Sequence, residues 1–364
     1  VRPAHSRRHR LQRSGTVVTA VVALLALAGC ASETPEAPPP ITVTPSVTAS
    51  REAPPTPEVP VVWPLTGVQT DTLVDRPAVA VKIENSHVAR PQSGLNEADM
   101  VWETIVDFDV SRLVAVFQSQ TPKGIGPIRS VRPMDMAIVA PLGGPLVFSG
   151  GQSGILALVP KAGIQGMNND YGAAGMYRIK SRSAPHNVYG DVPVFMANAD
   201  ANHSSPPPEQ FHFARNPAQA TAVLQGTDAT KVSMHLSSLS DPSWTWDATS
   251  GWLRWEGSAK AVVASGDWIH ATNVVLVVAK HPASGFHAQN KAVVPTYDLV
   301  GEGEALVATG GKTIAATWHK AAQDQPMTLT TADGQDVLLA PGNTWVELVP
   351  QGTGSYKVEA PAAG

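Results

Sequence analysis

Cysteine is almost missing from this 364-residue sequence, where Cys30 stands alone. A single thiol excludes internal disulfides and any cysteine-based metal cluster. Charged residues are also scarce, at 15 %, and there are 32 prolines, which together exclude a long coiled coil. A hydrophobic content of 43 % excludes a uniformly disordered chain. Familiar catalytic signatures are absent as well: no His-Glu-x-x-His, no P-loop and no Ser-x-x-Lys. Gly151-Gln152-Ser153-Gly154-Ile155 lacks the second glycine of a nucleophile elbow. His203 with His212, and His281 with His287, have no ligand spacing, so neither a metal nor a cofactor is expected. No internal repeat of fixed period is found.

What is present begins with an address. Five arginines (Arg2, Arg7, Arg8, Arg10, Arg13) precede the uncharged run at residues 14–29, which is short for a membrane span of about 20 residues. Leu27-Ala28-Gly29-Cys30 then fits a lipobox, with diacylation of Cys30 and cleavage just before it. Residues 1–29 therefore read as a lipoprotein signal peptide, with Val1 reading as a GTG start codon. The expected location is the extracytoplasmic face of a bacterial cell membrane, with the lipid bilayer engaged through acylated Cys30. Two or three acyl chains suffice for this, since each buried methylene contributes about 0.8 kcal/mol. Residues 31–64 hold ten prolines among Ser, Thr, Ala and Glu, so residues 30–62 form a semi-rigid spacer. Beyond the signal peptide, 21 basic residues face 30 acidic ones, a net charge of −9. That balance argues against a nucleic-acid partner.

Two folded regions follow. In residues 63–225 strand and helix patterns alternate. Residues 77–85 set Val79, Val81 and Ile83 against Lys82 and Glu84, predicting a half-buried strand. Residues 99–108 and 112–119 predict a hairpin, and 134–141, 154–161 and 191–201 short helices. From 226 to 350 the pattern is almost purely β, with a tryptophan-rich hairpin (Trp244, Trp246, Trp252, Trp255) and the turn Ala332-Asp333-Gly334-Gln335. The tryptophans are read as core ahead of sugar-stacking residues. Residues 351–364 read as a flexible tail. The fold class is α+β: a layered mixed α/β domain followed by a smaller, mainly β domain.

Chemistry concentrates in three loops: residues 89–99, 124–133 and 182–189. Each sets arginine, or arginine with histidine, among residues that shape the backbone. The ligand-binding candidates are Arg90, Asp99, Glu103, Arg129, Ser130, Arg132, Arg182, His186 and Asn187. Arg129 and Arg132 present forked donors suited to a carboxylate or phosphate. The competing reading is structural, with each arginine tying down loop carbonyls or pairing with Asp99, Glu103 or Asp135.

The three loops are similar to those of the YerB-like lipoproteins. The resemblance is carried by Arg90-Pro91-Gln92-Ser93-Gly94-Leu95 with Ala98-Asp99 and Glu103, by Ile125-Gly126-Pro127-Ile128-Arg129-Ser130 with Arg132-Pro133, and by Ala184-Pro185-His186-Asn187. Residues 76–81 and Asn85, Arg112, Phe117-Gln118-Ser119, residues 311–318 and Gly342-Asn343-Thr344-Trp345 extend it over about residues 64–350. Gly150-Gly151-Gln152-Ser153 departs from the family's Gly-Gly-Ser. The resemblance implies a layered α/β domain followed by a β-rich one, and it carries no reaction with it.

The leading expectation is a non-enzymatic envelope lipoprotein whose first domain binds an anionic cell-wall glycan or an envelope protein. Two alternatives stand beside it. One is a hydrolase or transferase on a cell-wall glycan or phosphoester, with Asp99, Glu103 and His186 as acid and base. The other is a scaffold for a membrane-bound cell-wall enzyme.

Overall fold

The alternation at residues 77–85 predicts a strand with one wet face, yet every residue of β1 (Val79–Glu84) is buried, Lys82 and Glu84 included. Elements pack on both sides of it, so the polar positions face protein partners instead of water. A computed structural model describes residues 39–40, 60–288 and 291–362. Cys30, residues 1–29 and most of the proline-rich spacer lie outside the described residues.

Strands β2 (Met100–Ile105) and β3 (Ser111–Phe117) form the expected hairpin, and β3 also pairs antiparallel with β1. α1 (Asp135–Val139) leads from β3 to β4 (Leu146–Phe148), parallel to β1, and α2 (Ser153–Leu156) and α3 (Leu158–Lys161) lead on to β5 (Gly166–Asn168), parallel to β4. A ribbon of β6 (Met176–Arg178) and β7 (Val188–Gly190) leads to α4 (Val192–Ala197). After α5 (Thr221–Gln225) come the strands β8 (Thr227–Asp228), β9 (Lys231–His235), β10 (Pro242–Asp247), β11 (Gly251–Glu256), β12 (Ala259–Lys260) and β13 (His270–Ala271). The last eight are β14 (Asn273–Ala279), β15 (Ala283–His287), β16 (Val293–Pro295), β17 (Gly301–Thr309), β18 (Lys312–Lys320), β19 (Thr328–Thr330), β20 (Thr344–Pro350) and β21 (Ser355–Glu359). The fold is α+β with a β-rich second half.

Eleven strands make one sheet in the order β19-β18-β17-β14-β20-β2-β3-β1-β4-β5, with β8 on β18. Its two halves meet where β20 lies parallel to β2, from Met100 opposite Thr344 to Glu103 opposite Glu347. On its other edge β20 runs parallel to β14 over seven residue pairs. Flanked on both sides, β20 is buried throughout, as expected of a strand with parallel neighbours. A second sheet has the order β12-β11-β10-β9-β21, with β13 on β11. Its β10–β11 hairpin sets Trp246 opposite Trp252 and buries Trp244 and Trp252 completely, so those two tryptophans are core. Residues 355–359 correct the expected flexible tail. They pair antiparallel with β9, and Tyr356 and Val358 pack against the core.

One buried guanidinium joins these layers. Arg254 of β11 donates to Glu103 of β2 (2.6 Å), to Glu347 of β20 (2.6 Å) and to Glu256 (2.9 Å). Its planar head lies 4.7 Å from the Trp345 ring centroid and 5.4 Å from that of Trp244, a stacked geometry that lysine cannot reproduce. Trp244 Nε1 donates to Glu347 (2.8 Å). Burial and then the Glu103 charge push the Glu347 carboxyl well above its ordinary range. Burial opposes ionisation of Glu103 too, but Arg254 draws it below the ordinary value. Two adjacent buried carboxyls thus divide into one acid and one carboxylate.

Replacing Arg254 with Met leaves Glu103 buried without a counter-charge, and urea unfolding should show a loss of roughly 3–5 kcal/mol. Adding Glu103→Gln and Glu347→Gln to that variant should restore most of the loss. Glu347→Gln alone tests the shared proton. A carboxyl raised on folding contributes stability below its unfolded value of 4.5 and loses it as pH rises through the folded value. The variant should therefore gain on the wild type as pH rises from 4.5 toward neutrality, read from unfolding midpoints along a pH series.

Candidate functional site

The loop between β3 and α1 is laced to β1 and β4. Arg129 N–H donates to Lys82 O (2.8 Å), Ser149 N–H to Arg129 O (3.0 Å) and Val131 N–H to Gly150 O (3.2 Å). Gly126, at φ +155°, has no room for a side chain, because a Cβ would meet Val188 O and the Tyr189 ring at 2.9 Å. Each of the three loops carries one cis X-Pro bond, at Pro91, Pro127 and Pro185. Behind them Lys82 and Asp135, both fully buried, form a 2.6 Å ion pair. Burial is the largest influence on Lys82 and lowers it to about 8 despite Asp135. Asp135 also accepts from Arg132 N–H (2.7 Å), so α1 and the loop share one anchor.

A cleft of about 880 Å³ opens against this frame, lined by Glu84, Asp107, Arg112, Arg129, Ser130, Arg132, Arg178 and His186 among others. Glu84 is its organising carboxylate. It accepts from His186 Nδ1 at 2.9 Å and from Ser86 Oγ at 2.8 Å, and lies 3.3 Å from Arg129 Nε. Asp107 holds Arg132 Nε. Burial opposes its ionisation, but the Arg132 bond keeps the Asp107 carboxyl below its ordinary value. Ser130 Oγ donates to Ser149 O (3.0 Å), and Arg178 to Asn187 Oδ1 (2.7 Å).

Arg112 is different. It is 7 % exposed and donates to Ser130 O at 3.2 Å; its buried Nε, like that of Arg129, has no hydrogen-bond partner, but unlike Arg129 it is paired with no carboxylate. Burial, then the neighbouring Arg132 charge, lowers it to about 9, with Arg129 adding to the effect. A buried guanidinium crowded by two others and short of acceptors is the arrangement an incoming anion relieves.

Of the nine residues expected to bind a ligand, Arg129, Ser130, Arg132 and His186 line this cleft. The others serve the framework. Arg90 pairs with Glu256 (2.9 Å) and donates to Asn85 (3.1 Å). Arg182 donates to Val88 O and Pro91 O, tying the third loop to the first. Asn187 donates to Ile179 O and Arg182 O within its own loop. Asp99 accepts from Gln118 and Ser119 backbone N–H and from the Ser119 hydroxyl, while burial raises its carboxyl. Glu103 belongs to the Arg254 cluster. Of Asp99, Glu103 and His186, the proposed acid–base set, only His186 is a lining residue. Pattern reading did not pick out Glu84, Asp107, Arg112 and Arg178. Arg112 left one signal, an arginine opening an apolar strand that the structure buries on both faces.

Residues 65–205 match the N-terminal domain, and residues 232–346 the C-terminal domain, of a protein of unknown function, DUF3048. The chain belongs to the DUF3048 family. It is 26 % identical over 300 residues to a Bacillus subtilis (strain 168) protein named "Putative lipoprotein YerB", a match covering 79 % of this chain and 86 % of that one. The crystal structure of YerB from Bacillus subtilis has the same fold, with a TM-score of 0.67 at 23 % identity, over 82 % of this chain and 99 % of that one. No helix among the described residues is long and apolar enough to cross a membrane.

In this DUF3048 chain Arg112 and Arg132 should respond oppositely to neutralisation. Arg112→Met removes a buried charge with no carboxylate bonded to it, and thermal unfolding without ligand should show stability raised by about 1 kcal/mol. Arg132→Met orphans Asp107, and a loss of about 2 kcal/mol or more is expected.

Proposed function

We propose that this protein is an extracytoplasmic lipoprotein, anchored through acylated Cys30, that binds an anionic envelope ligand in the arginine-lined cleft. The observation that carries the ligand reading is the buried Arg112 guanidinium, whose Nε lacks an acceptor while Arg129 and Arg132 press on it. The neighbouring cations are each held by a carboxylate, Arg129 by Glu84 and Arg132 by Asp107. They are aimed without being left free to collapse onto the ligand's place. Support for the anchor comes from the lipobox at Cys30, the proline-rich spacer after it and the likeness to a protein named as a lipoprotein. The net charge of −9 beyond the signal peptide makes the cleft a local basic feature on an acidic chain, which favours a small anionic group over an extended polyanion.

Calorimetric titration of the purified chain with inorganic phosphate and with phosphate- or carboxylate-bearing cell-wall glycan fragments tests this reading. At least one anion should bind the wild type, and Arg112→Met should weaken it by roughly tenfold or more, the scale of one charge-assisted hydrogen bond. Equal binding by both proteins, or binding by neither, refutes the site.

A further inference from the structure

The cleft is too large, and its lining too apolar in part, for a bare anion. Its volume of about 880 Å³ is in the range of sites for whole organic ligands. Beside the arginine bed stand Val88, which is 61 % exposed, and Phe108, which is 54 % exposed. Phe108 is held at φ +65°, in the left-handed region, followed by Asp109 at φ +56°. An aromatic side chain there is costly, where Gly or Asn would be relaxed. The turn is nevertheless tied at both sides. Asp107 holds Arg132, and Asp109 accepts from the Ser237 hydroxyl through its backbone oxygen and from the Ser238 hydroxyl through its carboxylate. One short turn therefore carries both the counter-ion of a cleft arginine and an exposed ring beside it. Val294 of the β15–β16 hairpin and Ile155 of α2 also belong to the lining.

We propose that the ligand is an amphiphilic phosphate: its phosphate sits on Arg112, Arg129 and Arg132, and its apolar chain lies across Phe108 and Val88. This rests on the anion-site reading above and adds the ligand's chemical class. A phosphate accepts from several directions at once, which suits guanidinium groups arriving from β3 and from the loop after it. A hydrocarbon chain covers the exposed ring and valine, and that burial supplies what the charge cannot, a dependence of affinity on chain length.

The probes are inorganic phosphate, hexyl phosphate, decyl phosphate and decanol. They are titrated into the wild type, Arg112→Met, and a Phe108→Asn/Val88→Asn variant, whose asparagine at 108 tolerates the left-handed backbone. Affinity should rise along the phosphate series by about two- to fourfold per methylene that becomes buried. Decanol should not bind. In the Phe108→Asn/Val88→Asn variant the ratio of decyl phosphate to inorganic phosphate affinity should fall toward one. If the three phosphates bind the wild type equally and Arg112→Met abolishes them all, the amphiphile is wrong and the anion site stands. If no phosphate binds, the amphiphilic phosphate is wrong; the anion site falls with it only if the carboxylate-bearing fragments also fail to bind. A chain-length dependence that survives in the double variant overturns the role given to Phe108 and Val88. Phosphatidylcholine vesicles with and without phosphatidic acid separate the two sources of such a ligand. Capture only by phosphatidic acid vesicles places it in the bilayer, and binding of decyl phosphate without capture makes it a free amphiphile.

Discussion

The parallel contact between β2 and β20 is the constraint from which the rest of the structure follows. It sets Glu103 opposite Glu347 in the middle of an eleven-strand sheet, where two ionised carboxyls would have no solvent to screen them. Arg254, reaching in from the second sheet, is the compensating charge, and it is stacked against Trp244 and Trp345 on arrival. Residues from both matched family domains and from both sheets therefore meet at one buried site. The division of the pair into one acid and one carboxylate is how the fold accommodates three ionisable groups with almost no water. A buried ion pair of this kind is a weak source of net stability, but breaking it is costly. Its effect is to fix which strands lie together.

The same logic, with a different outcome, runs through the cleft. Lys82 and Asp135 close a complete pair under the sheet, and Glu84 and Asp107 each take one arginine. The polar positions of β1 and the turn after β2 thus set the places of the loop arginines. Arg112 is where this compensation stops. It is as buried as its neighbours, yet no carboxylate is bonded to it and one donor is unused. Among the cations around the cleft, Lys82, Arg129 and Arg132 are each paired with a carboxylate, and the buried Arg112 is not.

Much of the architecture was legible from pattern. The β2–β3 hairpin, the short helices after it and the tryptophan hairpin all follow from local periodicity and turn residues. Less legible were features set by what packs on the far side of an element. Lys82 and Glu84 alternate with apolar residues as solvent-facing side chains do, and only the layer above β1 makes them buried partners. Tyr356 and Val358 lie in a segment with the composition of a tail, and an open edge on β9 turns it into a strand. The candidate site divides in the same way. Arg129, Ser130, Arg132 and His186 were visible as loop residues rich in forked donors. Arg90, Arg182, Asp99 and Glu103 look the same in the text and serve the framework.

The amino-acid order alone was enough to establish the fold class and to raise the expectation of a lipid anchor. The fit of the single cysteine to a lipobox pattern, the proline-rich spacer and the succession of α/β then β patterns are all local properties, and local properties survive being read one residue after another. Which arginine lacks a carboxylate partner is not local. It depends on the carboxylates that separate segments bring within reach, and only the folded chain decides that. Arg112 and Arg254 are both arginines in strands. Arg254 found three carboxyl groups and became structure, and Arg112 found a carbonyl and an open cleft.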